Sequence, residues 1–160
     1  MTEATCPANL LLTVGNSMMG DDGAGPYLAE LLEQNPASDW VVVDGGSAPE
    51  NHAHRVHDLR PQRVVIVDAT DMGLEPGEIR VVDERCIADM FIMTTHSLPI
   101  SFLIERLRES VAEVVFVGIQ PAVVAYSFPM MDVVKQAVEH LHERLRSGQG
   151  LDGLECLVAA

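Results

Sequence analysis

Short apolar runs alternate along this chain with stretches whose apolar positions recur every three or four residues, the pattern of strands interleaved with amphipathic helices. Asn9 to Val14 is an apolar run closed by Gly15 and predicts a buried first strand. Ala24, Leu28, Leu31 and Leu32 then follow helical spacing around Pro26, which suits a first helical turn, until Asn35-Pro36 breaks the pattern. Trp40 to Val43, closed by Asp44-Gly45-Gly46, predicts a second strand, and Arg63 to Val67, closed by Asp68, a third. Glu50 to Leu59, between them, is weakly amphipathic and predicts a helix carrying His52, His54 and His57. Spacings of two and three do not bring three imidazoles onto one face, so these histidines read as solvated helix positions rather than a metal cluster.

Glu78 to Val82 alternates as a fourth strand. It is reached from the third through Met72-Gly73-Leu74-Glu75-Pro76-Gly77, too short for a helical crossover, which favours an antiparallel neighbour or an edge excursion. Ile100, Leu103, Ile104, Leu107 and Val111 repeat with helical period after Pro99, and Val114 to Ile119 is a fifth apolar strand. Met130, Val134, Ala137, Val138, Leu141 and Leu145 form a continuous stripe opposite Lys135, Glu139, Glu143 and Arg146, predicting a closing helix on which His140 and His142 are exposed. Beyond Ser147 the chain turns Gly-rich and loses its period, so residues 147–160 are expected to form a flexible, loosely docked tail. The whole predicts one domain over 1–160: a three-layer α/β/α sandwich around a mainly parallel sheet.

Composition narrows the function. Ten Lys and Arg against 24 Asp and Glu give a formal charge of −14, which argues against nucleic acid and anionic lipid as partners. No run approaches the roughly 18 apolar residues of a membrane span, so a cytoplasmic protein is expected. Cys6, Cys86 and Cys156 are far apart and form no C-x-x-C pair, the pattern of reduced thiols.

Candidate chemistry gathers where strands end. Gly15-Asn16-Ser17-Met18-Met19-Gly20-Asp21-Asp22-Gly23-Ala24-Gly25 joins the first strand to the first helix and presents two adjacent carboxylates. A glycine loop at that junction ordinarily cradles phosphate, but Asp21 and Asp22 repel an anion and suit a cation. The loop also lacks the third glycine of G-x-G-x-x-G in register and the Gly-Lys-Ser/Thr end of a P-loop. Ligands of open α/β sheets sit beyond the carboxyl ends of the strands. That rule collects Asp21, Asp22, Asp44 and Asp68 with His96, which lies in Met93-Thr94-Thr95-His96-Ser97-Leu98-Pro99 just before a helix. Two carboxylates and an imidazole are a common metal set that leaves positions open for water or substrate. Taken singly, Asp21 or Asp22 can equally cap the helix, Asp68 can bond a neighbouring loop, Asp71 can form a turn, and Gln120-Pro121 can be a turn or a crevice wall.

The loop motif continued to Pro26 resembles the opening motif of the hydrogenase maturation endopeptidases, which trim the C-terminus of NiFe-hydrogenase large subunits. Asp44-Gly45-Gly46-Ser47-Ala48-Pro49-Glu50-Asn51, Val67-Asp68-Ala69-Thr70-Asp71-Met72-Gly73 and Thr94-Thr95-His96-Ser97-Leu98-Pro99 resemble the subgroup serving hydrogenase 3 of the formate hydrogenlyase complex. The match covers about residues 9 to 146. It implies a phosphorylase/hydrolase-like fold with a five-stranded mixed sheet in order 2-1-3-5-4, strand 4 antiparallel. It also implies that Asp22, Asp68 and His96 are the catalytic metal-binding trio and that Asp44 takes part in substrate recognition. Many relatives carry Glu where this chain has Asp22. The implied metal is nickel borne by the substrate, the implied partner is the large-subunit precursor, and the implied acting form is a monomer. Two rivals use the same residues differently: a non-catalytic nickel-binding maturation chaperone, and a small-molecule transferase or phosphorylase. The second needs phosphate at the first loop, where two carboxylates oppose it.

Overall fold

The computed structural model describes residues 6–89 and 99–157. The chain forms, in order, β1 (Asn9–Thr13), α1 (Ala24–Gln34), β2 (Trp40–Asp44), α2 (Ala53–Leu59), β3 (Arg63–Ala69), β4 (Ile79–Val82), α3 (Glu84–Asp89), α4 (Ile100–Arg108), β5 (Glu113–Ile119), α5 (Asp132–Arg146) and β6 (Cys156–Leu157). Single 3₁₀ turns at Gly20–Gly23 and Pro49–His52 lead into α1 and α2.

Alternation along the strands decides the layers. Leu10, Leu12, Val64, Ile66 and Phe116 point to one face, where α2, α3 and α4 cover them through Val56, Ile87, Leu103 and Leu107. Leu11, Val65, Val67, Val117 and Ile119 point to the other, against Leu28 and Leu32 of α1 and Val134, Val138 and Leu141 of α5. The central strands, covered on both faces, therefore read as near-continuous apolar runs. β1 pairs in parallel with β2 and β3, β3 pairs in parallel with β5, and β4 lies antiparallel to β5. The short link from β3 thus carries the chain past β5 to an antiparallel strand on its far side, an excursion toward the edge rather than a strand beside β3.

The sheet has six strands rather than five, in order β2-β1-β3-β5-β4-β6. The extra strand comes from the segment expected to be a flexible tail. After α5 the chain turns back, and Arg144, buried on that helix, donates from Nε to the Gly150 carbonyl and from its other guanidinium nitrogen to the Asp152 carbonyl. Leu151 and Leu154 pack on the α1/α5 core, and Cys156–Leu157 then pairs in parallel with Val81–Val82. The apolar period was lost because the segment is held by an arginine and a short strand rather than by a helical face. His142 differs as well: it is buried, with Nε2 2.9 Å from the Asn35 carbonyl, and ties α5 to the end of α1. Helix α3 had no counterpart in the sequence pattern. Cys6, Cys86 and Cys156 carry no disulfide.

One contact fixes α1 over the sheet. Gly25 lies so close to β1 that a Cβ there would sit 2.1 Å from the Val14 carbonyl oxygen. Gly25→Ala gains about 1 kcal/mol of helix propensity, but the clash is with backbone, which no rotamer relieves. We expect the overlap to win, with a net loss of about 2 kcal/mol. The measurement is the urea midpoint at constant m-value, and a midpoint unchanged or raised would contradict it.

Candidate functional site

The acidic loop leaves β1 through Gly15, whose φ of 146° a side chain rarely adopts; a Cβ there would also meet the Asp22 carbonyl at 2.1 Å. Around that glycine the strand ends lock together: Val14 N–H donates to the Val67 carbonyl, Gly15 N–H to Gly46, and Gly45 N–H to Thr13. The loop is therefore held by β2 and β3 at once, and the 20–23 turn packs against β3.

Asp22 is only 5% exposed. Its Oδ2 accepts from the Asn16 N–H at 3.0 Å, and its main-chain oxygen accepts from the same N–H at 3.2 Å. The Asn16 side chain in turn accepts from Met18 N–H, so the loop folds around this carboxylate. Asp68 is 1% exposed and lies inside β3, in register with Gly118, rather than just beyond the strand. By alternation it shares the face of Val64 and Ile66, the side covered by α2 and α4. Asp44 ends β2 on the opposite face, the side of α1, and is exposed. Its Oδ1 accepts from Gly46 N–H at 3.1 Å and from the Thr13 hydroxyl at 3.4 Å. Asp22 and Asp68 are thus buried carboxylates from neighbouring segments, while Asp44 stands apart on the outer rim.

His96 lies outside the described residues; the helix that follows it opens at Pro99, whose carbonyl accepts from Phe102 and Leu103. Among the described residues no three His, Cys, Asp or Glu side chains gather as a metal site. His54 and His57 are exposed, and His52 is half-buried in the turn that leads into α2.

Asp21 is not a helix cap. The 20–23 turn and α1 have no side-chain cap, and Asp21, fully buried, reaches the chain beyond β5. Its Oδ2 accepts from Ala122 and Val123 N–H at 2.8 Å each, its Oδ1 from Met131 N–H at 2.8 Å, and its own N–H donates to the Val123 carbonyl. One carboxylate thereby closes the 122–131 segment onto the acidic loop. Nothing local signals this role, because the partners lie 101 to 110 residues away. Gln120 is likewise a strut: its Oε1 accepts from Met72 and Leu74 N–H, and its Nε2 donates to Asp71 and to the Pro121 carbonyl. Asp71 also accepts from Gly73 N–H and forms the expected turn.

Beside the loop a groove of about 670 Å³ runs along α1, between Asp44 and the Phe128–Met130 segment. Tyr27 stands in its wall and donates its hydroxyl to Glu139 at 2.9 Å. Burial, that hydrogen bond and the nearby charges of Glu139 and Glu30 raise its pKa above the ordinary phenol value.

A mixed α/β sheet with buried carboxylates at its carboxyl end, and a first loop carrying two acids, defines an α/β protein with an acidic site rather than a phosphate-cradling nucleotide binder. Comparison with known proteins specifies it. The family profile described as HycI, hydrogenase maturation protease, matches residues 26–147. The hydrogenase 3 maturation protease of Escherichia coli K12 is 55% identical over 145 residues, spanning 91% of this chain and 93% of that protein. The solution structure of the endopeptidase HycI from Escherichia coli superposes with a TM-score of 0.87 at 54% identity, covering 94% of this chain and 97% of that one. The NiFe-hydrogenase maturation protease HycI from Thermococcus kodakarensis gives a TM-score of 0.77 at 26% identity, covering 88% and 91%. This chain belongs to the hydrogenase maturation protease family and is an endopeptidase.

Proposed function

We propose that this protein removes the C-terminal extension from the nickel-loaded precursor of a NiFe-hydrogenase large subunit, that of hydrogenase 3, as the last step of its maturation. The observation that carries this reading is the 55% identity across nearly the whole length of the Escherichia coli hydrogenase 3 enzyme. It acts as a monomer in the cytoplasm; among the described residues no helix is long and apolar enough to cross a membrane.

The nickel is part of the substrate. In this reading Asp22, Asp68 and His96 form the face that meets it, which fixes the precursor with its scissile bond beside the two carboxylates. Oxygen donors and an imidazole suit a divalent ion of this kind. Burial of Asp22 and Asp68 supports the assignment, because a carboxylate kept in a site of low polarity interacts strongly with an incoming cation. A water held next to these groups attacks the peptide carbonyl and gives its proton to a neighbouring base, which passes a proton to the departing nitrogen as the C–N bond breaks, leaving a carboxylate on the mature chain and a free amine on the extension. Asp44, on the outer rim, contacts the substrate chain rather than the metal.

The test follows precursor mass after mixing the purified protein with nickel-loaded and with nickel-free precursor. We expect loss of the extension from the loaded form alone. Loss from neither would leave a nickel-binding chaperone, and loss from both would remove the role of nickel in recognition.

A further inference from the structure

We infer that the groove along α1 is the seat of the precursor's C-terminal extension, bound as an extended peptide with a basic side chain against Glu30 and Glu33. The inference rests on the endopeptidase reading above and adds to it where the released piece lies and which chemistry recognises it.

The groove lies in the range of about 300–1,000 Å³ that holds one small ligand or a short stretch of chain. A folded subunit surface does not enter a space of that size, whereas an extended segment does. Its lining joins apolar surface, from Pro26, Val42, Phe128 and Met130, to the carboxylates of Glu30, Glu33 and Asp44. Among the described lining residues there is no Lys, Arg or His to offset them. Tyr27 is a neutral phenol whose hydroxyl is committed to Glu139, so it does not offset them either. An apolar segment bearing a cation matches this surface, and an anionic ligand is repelled by it.

Continuity with the acidic loop fixes which part of the substrate this is. Ser17, Gly20 and Gly23 line the near end of the groove, so a chain leaving it crosses the turn that carries Asp22. With the extension in the groove, its junction with the mature subunit falls at that turn.

The opposite wall is preformed. Asp21 holds the backbone at Ala122, Val123 and Met131, and Ser127 N–H donates to the Met18 carbonyl. Phe128, 55% exposed, is thus presented on a held wall instead of being gathered on binding, which lowers the ordering cost.

The experiment titrates a labelled synthetic peptide of the precursor's own extension into the full-length protein and into the double variant Glu30→Lys/Glu33→Lys. It also measures processing of nickel-loaded precursor by both. Both positions are exposed, so the double variant is expected to fold, and a thermal melt checks it. We expect the peptide to bind at least about tenfold more weakly to the variant, KM for the precursor to rise by a similar factor, and kcat to stay within about twofold. Precursor already shortened to the mature length should bind both proteins equally. An unchanged KM with normal processing, or equal peptide affinity for both proteins, would overturn the groove assignment while leaving the endopeptidase reading intact. No processing by the wild-type protein would instead overturn that reading. Hydrogen exchange of the wild-type protein with the same peptide decides the matter should the variant not fold: protection at 26–33 and 128–130 supports the assignment, and protection only elsewhere refutes it.

Discussion

Asp68→Asn is expected to lower the rate of precursor processing by about 10²- to 10⁴-fold, the range associated with removing a positioned acid–base or charge-bearing group from a reaction centre. The substitution is nearly isosteric. The packing around β3, where Asp68 is 1% exposed, therefore changes little and the effect reports on charge. Burying a carboxylate carries a desolvation cost, so its charge is the property that the substitution tests. Asn keeps one oxygen but gives up the negative charge and turns one acceptor into a donor, which in the proposed role would face the substrate's metal. Loss should therefore appear in kcat with nickel-loaded precursor while the melting curve stays cooperative. Processing at the wild-type rate would take Asp68 out of the site.

The second large effect is structural. Asp21→Ala should destabilise the fold by about 3–5 kcal/mol, because three backbone N–H groups at Ala122, Val123 and Met131 lose their acceptor together. Each of these part-buried donors left without its partner costs up to about 1–3 kcal/mol, and water entering the opened space recovers part of the sum. For a chain of this size the loss corresponds to a fall in Tm of roughly 10 °C. Asp21→Asn makes the argument sharper. Its single carbonyl oxygen can serve Ala122 and Val123 in place of Oδ2, but its amide then faces the Met131 N–H, so an intermediate loss is expected. A melting point unmoved in the Ala variant would show that the 122–131 segment is held by its other contacts. Since that segment forms one wall of the α1 groove, the same variant should also weaken binding of the extension peptide.

Neighbouring residues with the same side chain thus do different work. Asp21 and Asp22 both belong to the acidic loop, and both are buried. The loop pattern marks the pair as unusual for a strand–helix junction, yet it does not say which carboxylate faces a ligand. The resemblance to the maturation proteases selected Asp22 and left Asp21 as a helix cap, and the structure replaces that cap with a long-range staple. The central strands β1, β3 and β5 were legible for a simple reason: burial on both faces demands continuous apolar runs, and such runs are visible in order along the chain. The antiparallel β4 was legible too, since the length of a connection restricts what it can join. Strand β6 was not, because two residues paired at an edge leave no period, and the arginine that holds the segment looks in sequence like any other charge on a helix.

The sequence by itself determined the alternation of strands and helices, the placement of its carboxylates at the carboxyl ends of the sheet, and membership of the maturation protease family. The first two follow from periodic burial and spacing along the chain, and the third from the resemblance of several separated motifs to those of the family. Only the tertiary structure decided that Asp21 ties down the 122–131 segment, that Asp44 and Asp68 stand on opposite faces, and that an acidic apolar groove leads from α1 to the Asp22 turn. Those properties belong to pairs of residues up to 110 positions apart. Hydrogen bonds and cavities depend on which surfaces the fold brings together, and no period along one segment records its partner on another.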